Sequence, residues 1–271
     1  MGYYDDQQYN QSYNNQPYNT QYNQQYNAQY NQQYNAQYNQ PYNNQQYNQP
    51  YSQPYSYNNE LSQQAYNLVI GGTLLYGFLV NCFMIHFCFD SIASLVVNNP
   101  VMFYIAYFIM VIVGSIMVNK SVNPVVSFIG YNLIVVPLGL IISITVNVYA
   151  MAGYSSTITS AFAITAIVTL LMMFVSSIFP NFFLSLGRTL FVTLLITVVV
   201  ELLMGLAGFD LGMIDYIVVL IFCGYIGYDW AKANVIPKTV DNAIDSAAEL
   251  YVDIVNLFLR ILRILARAQR N

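Results

Sequence analysis

Two acids stand where acids are costly. Asp229 closes the apolar run Ile217-Val-Val-Leu-Ile-Phe-Cys-Gly-Tyr-Ile-Gly-Tyr-Asp229, and Asp253 lies inside Leu250-Tyr-Val-Asp253-Ile-Val-Asn-Leu-Phe-Leu. Ionised carboxylates at membrane depth are expensive, so they face a cavity or a partner. The two are 24 residues apart, with Asn234, Pro237 and Lys238 between them. A hairpin of that length returns the second acid to the depth of the first. Two carboxylates in contact cannot both ionise cheaply, and they titrate as a unit. At low pH such a pair shares a proton and holds its two helices together; at higher pH it repels or collects a cation. The chemistry expected is pH sensing and cation binding. The plainer reading of the same residues is that Asp229 caps its helix at the interface while Asp253 makes an ordinary interhelical hydrogen bond.

Two carboxylates supply at most four ligand oxygens, so Asp229 and Asp253 would hold a cation only weakly, with water or backbone carbonyls completing its shell. Weak binding suits permeation, because an ion must also leave. Asp245, Glu249 and Asp253 step by four and share a helix face, which Asn256 continues. Glu249, Asn256 and Asp245 are therefore candidate pathway-lining residues. So is Glu201, in Val198-Val-Val-Glu201-Leu-Leu-Met, although a locally bonded carboxyl there is the plainer reading. Asp210 and Asp215 flank a loop and read as solvated. The lone His86 has no companions for ligation. Cys82, Cys88 and Cys223 show no CxxC spacing and read as small buried hydrophobes.

The elements that must carry these acids are membrane spans. Of 271 residues, 56% are hydrophobic and only 7% charged, against roughly a quarter charged in an ordinary soluble domain. A crossing helix needs about 20 apolar residues. The sequence predicts spans near 67–90, 101–118, 124–150, 157–179, 188–207, 212–230 and 246–264, separated by breakers such as Asn98-Asn99-Pro100, Ala152-Gly153 and Pro180-Asn181. Lys120, Arg188, Lys232 and Lys238 all fall on the face shared with the N-terminus, which the positive-inside rule makes cytoplasmic. Segment seven breaks this pattern. Arg260, Arg263, Arg267 and Arg270 close the chain, and a plain crossing would put them outside. It reads either as an amphipathic helix on the membrane surface or as a central helix screened from lipid, whose acidic face lines a pathway. Asn132 and Asn147 read as packing glue between spans.

Residues 1–59 are of another kind. They are almost entirely Gln, Tyr, Asn, Pro and Ser, with tyrosine about every four residues. Such a tract cannot bury enough apolar area to offset chain entropy. It is predicted to be a disordered, self-association-prone low-complexity tail ahead of a membrane domain over 60–271. No HExxH, GxSxG or phosphate-binding glycine loop is present. Gly227-Tyr228-Asp229 matches the first motif of presenilin-type proteases, but Asp253 lacks the Gly-x-Gly-Asp of the second. The expectation is a protein without enzymatic activity.

At these residues the chain resembles the Bax inhibitor-1 family (the transmembrane Bax inhibitor motif group), in a bacterial-type form. The closest stretch is Ile221-Phe-Cys-Gly-Tyr-Ile-Gly-Tyr-Asp229 followed by Ala247-Ala-Glu-Leu-Tyr-Val-Asp253-Ile-Val-Asn-Leu-Phe-Leu; Ala161-Phe-Ala-Ile-Thr-Ala166 and Phe183-Leu-Ser-Leu-Gly187 agree more weakly. The resemblance covers about residues 66–265. It implies an all-α seven-helix transmembrane bundle with the last helix central, acting as a pH-sensitive calcium leak whose paired aspartates match Asp229 and Asp253. Some bacterial relatives are described as regulators of membrane proteases, which is the alternative. The second span departs from the family: residues 101–118 carry neither the acid nor the arginine that engage the aspartates in bacterial relatives, and Lys120 is the available substitute. The partners expected are the lipid bilayer, calcium or other cations and other membrane proteins, with no nucleic acid and no cofactor beyond a weakly bound calcium ion. The expected location is a bacterial plasma membrane.

Overall fold

A computed structural model describes residues 60–209 and 212–270. The expected disordered tail over 1–59 lies outside the described residues, as does Asp210. Among the described residues all regular structure is helical, in eight helices: α1 (Gln63–Phe87), α2 (Phe89–Asn98), α3 (Pro100–Lys120), α4 (Pro124–Met151), α5 (Ser155–Ile178), α6 (Pro180–Leu206), α7 (Gly212–Val235) and α8 (Val240–Arg270).

Local chemistry sets the boundaries. Proline opens α3, α4 and α6, where its missing N–H has no helical partner to lose. Ser62 caps α1 by accepting from the Ala65 amide at 3.2 Å, and Asn123 caps α4 by accepting from Val125 at 2.9 Å. Gly153, at φ +89°, supplies the left-handed turn after α4.

Six helices, α1 and α3 to α7, are long and apolar enough to cross a membrane. Their exposed surfaces carry large apolar side chains such as Leu75, Phe108, Ile112, Leu170, Phe174 and Leu195, the pattern of a surface facing lipid. The seven predicted segments become eight helices because the first one breaks. The ladder of α1 gives out at Phe87, and the chain continues as α2 through residues read from sequence as a loop. At this point Asn147 Nδ2 of α4 donates to Ile85 O at 3.0 Å, while Ser143 Oγ adds a bond at 3.0 Å to Met84 O, which the Cys88 amide still reaches at 3.1 Å. Insertion of side chains into a helix ladder is a recognised cause of such a break. At ten residues, α2 is about 15 Å long and too short to cross.

The polar α8 is the most enclosed helix. No residue from 241 to 267 is exposed, and Leu250, Tyr251, Leu257 and Leu262 are fully buried. It packs against α7, α1, α4, α5 and α3. A helix lying on a membrane surface would leave its polar half in water, so the amphipathic surface reading fails. Its burial also explains how seven charged side chains between residues 241 and 267 are tolerated in one helix, because neighbouring helices, not lipid, surround them.

Close approaches fix the neighbours. A Cβ on Gly130 would sit 2.8 Å from Met117 Cβ and 2.9 Å from Gly114 O, so α3 and α4 cross backbone to backbone. Asn132 joins them to α1 by accepting from Tyr76 at 2.7 Å, the packing role expected of it. The three cysteines are free, but Cys82 is exposed and the others half-buried, so they are not the buried hydrophobes expected. Cys82 and Cys223 sit on apolar helices whose outer surfaces take hydrophobic side chains as readily as their inner ones, and Cys88 lies at the break between α1 and α2.

Candidate functional site

The turn between α7 and α8 sets the register of the site. Lys238 Nζ donates to the carbonyls of Ala233, Asn234 and Ile236 at 3.0, 2.7 and 3.1 Å, placing a cation on the negative end of α7. Asn242 closes the other side, its Nδ2 donating to Pro237 O at 2.9 Å and its amide to Thr239 Oγ1 at 3.1 Å. The helices then return antiparallel.

The sequence-predicted pair meets in this hairpin. The Asp229 and Asp253 carboxyls face each other within hydrogen-bond reach. They are 7% and 5% exposed, respectively, and among the described residues no donor reaches Asp253 Oδ2. Asp229 therefore does not cap its helix at an interface. Its helix is held from both sides. On α5, Ser176 Oγ donates to Gly227 O at 2.5 Å and Ser177 Oγ accepts from Trp230 Nε1 at 2.9 Å. On α6, Gly187 lets the Tyr228 ring lie against the backbone, where a Cβ would meet Tyr228 Cε2 at 2.7 Å. On α8, Tyr251 donates to Asn81 Oδ1 of α1 at 3.0 Å and accepts from Asn81 Nδ2 at 2.7 Å, which fixes the rotation that turns Asp253 toward α7.

One turn nearer the hairpin tip, Lys232 and Glu249 form an ion pair, with Nζ 2.6 and 2.9 Å from the two carboxylate oxygens. Glu249 thus joins the layer, bonded to a cation. Further along the same face of α8, Ser127 of α4 donates to Asp241 Oδ1 at 2.8 Å, while Asp245 keeps one buried oxygen without a partner. Burial pushes the Asp241 carboxyl up, partly offset by the Ser127 hydrogen bond. Lys120, the expected substitute for the family's arginine, is exposed at the end of α3. Lys232 supplies the cation of this layer instead. Its spacing of three from Asp229, matched by four between Glu249 and Asp253, was the signal available in the sequence.

Two candidate residues fall outside the layer. Asn256 Nδ2 donates to Val252 O of its own helix at 2.8 Å. Glu201 joins a second cluster at the opposite end of the hairpin, where it pairs with Arg260. Asp215, expected to be solvated, is 0% exposed there. It accepts from Arg260, Arg263 and Arg267 at 2.8, 3.0 and 2.5 Å. The 14 residues from Asp215 to Asp229 place the two polar layers about 21 Å apart along α7. Between them Val218, Phe222 and Ile226 of α7 meet Val255, Leu257 and Phe258 of α8 in the buried core, an apolar seal. Among the described residues no cluster of three or more His, Cys, Asp or Glu is arranged to hold a metal, so the carboxyl pair alone would be an incomplete calcium site.

Known proteins are similar to this chain over part or most of its length. A plant "BI1-like protein" from Arabidopsis thaliana is 42% identical over 84 residues, 30% of this chain and 32% of the relative. "Protein LIFEGUARD 3" from the same plant is 40% identical over 72 residues, 26% of this chain and 28% of the relative; the chain thus spans about a third of the length of these two curated relatives. An uncharacterized membrane protein of Streptococcus pyogenes is 27% identical over 226 residues, 77% of this chain and 93% of that protein. The model of the family described as "Inhibitor of apoptosis-promoting Bax1" matches residues 58–271, and with the family covering the whole helical unit, the chain belongs to the Bax inhibitor-1 family of membrane proteins.

Proposed function

We propose that this protein is a pH-sensitive cation leak, with calcium as its cargo, gated by Asp229 and Asp253 within a bundle of seven crossings in which α8 is the central one. The observation that carries this reading is the meeting of two buried carboxyls from adjacent helices, one with an oxygen that no donor among the described residues reaches. A pair that holds one proton between its members keeps α7 and α8 together. Loss of that proton leaves two charges in contact, which either part the helices or take a cation. The apolar seal toward the second cluster suits a closed form. Water and carbonyls would complete the ion's oxygen shell as it passes.

In this reading the membrane is a bacterial plasma membrane. Lys120, Arg188, Lys232 and Lys238 mark the cytoplasmic end, with residues 1–59 on the same side. The arginines of α8 then lie at the outer end. Asp215 and Glu201 pair with three of them, which relieves the conflict with the positive-inside rule.

One observation favours a second reading, a non-conducting regulator that binds other membrane proteins such as a protease. Three guanidiniums against two carboxylates leave the far cluster net positive, an unfavourable end for a cation path. Reconstitution into calcium-free liposomes with an internal indicator separates the two. Influx that acid suppresses, with suppression lost in Asp253→Asn, supports the leak. No influx at any pH assigns the protein to the regulators.

A further inference from the structure

The layer beside the carboxyl pair already contains a cation, and it belongs to the protein. Lys232 stands three residues after Asp229 on α7, and Glu249 four residues before Asp253 on α8. Both therefore share the helix faces of the pair, one turn nearer the hairpin tip. Their bridge lies 2.6 Å from nitrogen to oxygen, with the side chains 29% and 26% exposed. It sits between the carboxyl pair and the end of the bundle where α1, α4 and α8 begin. Lys238, the neighbouring base, is committed to three backbone carbonyls. An ammonium has three donors on a flexible stem, so it can exchange Glu249 for Asp229 without moving either helix.

We propose that Lys232 is a tethered counter-ion occupying the ground a permeating cation needs beside Asp229 and Asp253, and that Glu249 is the residue that draws it aside. This rests on the leak reading and specifies which residues set cation access in it. With one proton on the pair, the charges of Asp229, Asp253, Glu249 and Lys232 sum to minus one. Without that proton they sum to minus two, which a divalent ion balances only if the ammonium yields its place.

Most other polar groups around the layer are bonded elsewhere or exposed, while Asp245, one turn from Glu249, keeps a buried oxygen that no hydrogen bond reaches among the described residues. Asp241 and Asp245 continue the acidic face of α8, with Asp241 bonded to Ser127 of α4. Tyr66 of α1 bonds Asn242 O and Ser246 Oγ at 3.2 and 3.1 Å. Ser176 of α5 is spent on Gly227 O. Tyr228 of α7 lies against Gly187 of α6, and the next residue, Arg188, is exposed. Lys232 is thus the base of this layer.

The test is calcium influx into liposomes against pH and calcium concentration, for the full chain and for Lys232→Met, Lys232→Arg and Glu249→Gln. A bridge that merely ties two helices predicts the same direction of change when either partner is removed. The counter-ion predicts opposite directions. Lys232→Met removes a positive charge: acid suppression reaches about one pH unit higher, and at alkaline pH half-saturation needs several-fold less calcium. Glu249→Gln frees the ammonium for the pair: suppression moves about one unit lower, and half-saturation needs several-fold more calcium. Lys232→Arg stays near the parent. Each variant is read only as a monodisperse, helical preparation; Lys232→Gln or Glu249→Ala replaces whichever of the two opposed substitutions misfolds, because the sign comparison needs both partners. Shifts of the same sign, or unchanged pH and calcium dependence in a parent that conducts, would refute the counter-ion. A parent without acid-suppressed, Asp253-dependent influx overturns the leak reading itself, and the counter-ion with it.

Discussion

Asp215→Asn should be among the most damaging single substitutions outside the carboxyl pair. The Asp215 carboxylate is 0% exposed and accepts from Arg260, Arg263 and Arg267 at 2.8, 3.0 and 2.5 Å. Asparagine keeps the shape and one acceptor but removes the charge, so among the described residues three guanidiniums remain with one paired acid, Glu201 on Arg260. Breaking a buried ion pair from one side typically costs about 3–5 kcal/mol, because the surviving charge is stranded. Here the survivors have side chains 17%, 38% and 29% exposed, and they partly turn to water. The expectation is therefore the low end, about 3 kcal/mol. Unfolding by SDS titration in mixed micelles measures it through the fluorescence of Trp230, the one tryptophan of the chain. Adding Arg267→Gln to Asp215→Asn should recover about 1 kcal/mol or more, because the double variant strands one cation fewer. A loss below about 0.5 kcal/mol in Asp215→Asn would show that the cluster is an exposed pairing of little worth and that the reasoning from burial is wrong.

Gly130→Ala should lose about 1–3 kcal/mol in the same titration, since its new Cβ meets backbone and Cβ atoms of α3 that cannot swing aside. Gly71→Ala, with nothing within 4 Å, serves as the control and should match or exceed the parent. Asp241→Asn tests the electrostatics of the α8 entrance. The carboxyl of Asp241 is raised by burial, so the folded state binds its proton more tightly than the unfolded state. Stability then falls as pH rises from the ordinary aspartate range through the folded value. Asp241→Asn should equal the parent near pH 3 and exceed it at pH 7; a parent that instead gains stability over that window would reverse the assignment.

The carboxyl pair was legible in the sequence because its signal is local. Two acids in otherwise apolar runs, one hairpin apart, leave few arrangements that avoid lipid. The central position of α8 was legible only as one of two readings. Its acids and arginines on a single face suit a membrane surface as well as a protein interior, and the choice lies in what the other helices cover. Glu201 and Asp215 were misplaced for a related reason. Their partners are 59 and 45 to 52 residues away, beyond any periodicity. Register contained the missing information: the antiparallel pairing that sets residue 229 opposite 253 also sets 215 opposite 267. The break between α1 and α2 had no such signal, since the side chain that takes the Ile85 carbonyl there, Asn147, arrives from α4.

One property of α8 has mechanical weight. Its 31 residues contain no glycine and no proline, so none of the usual sources of a bend is present between Asp253 and Arg267. The helix is a stiff shaft bearing an acid near its middle and a basic grip near its end. A tilt or slide that eases one of these contacts must load the other. Proton occupancy on one side of the seal and guanidinium pairing on the far side are therefore ends of a single lever, each bound to feel what is done to its opposite.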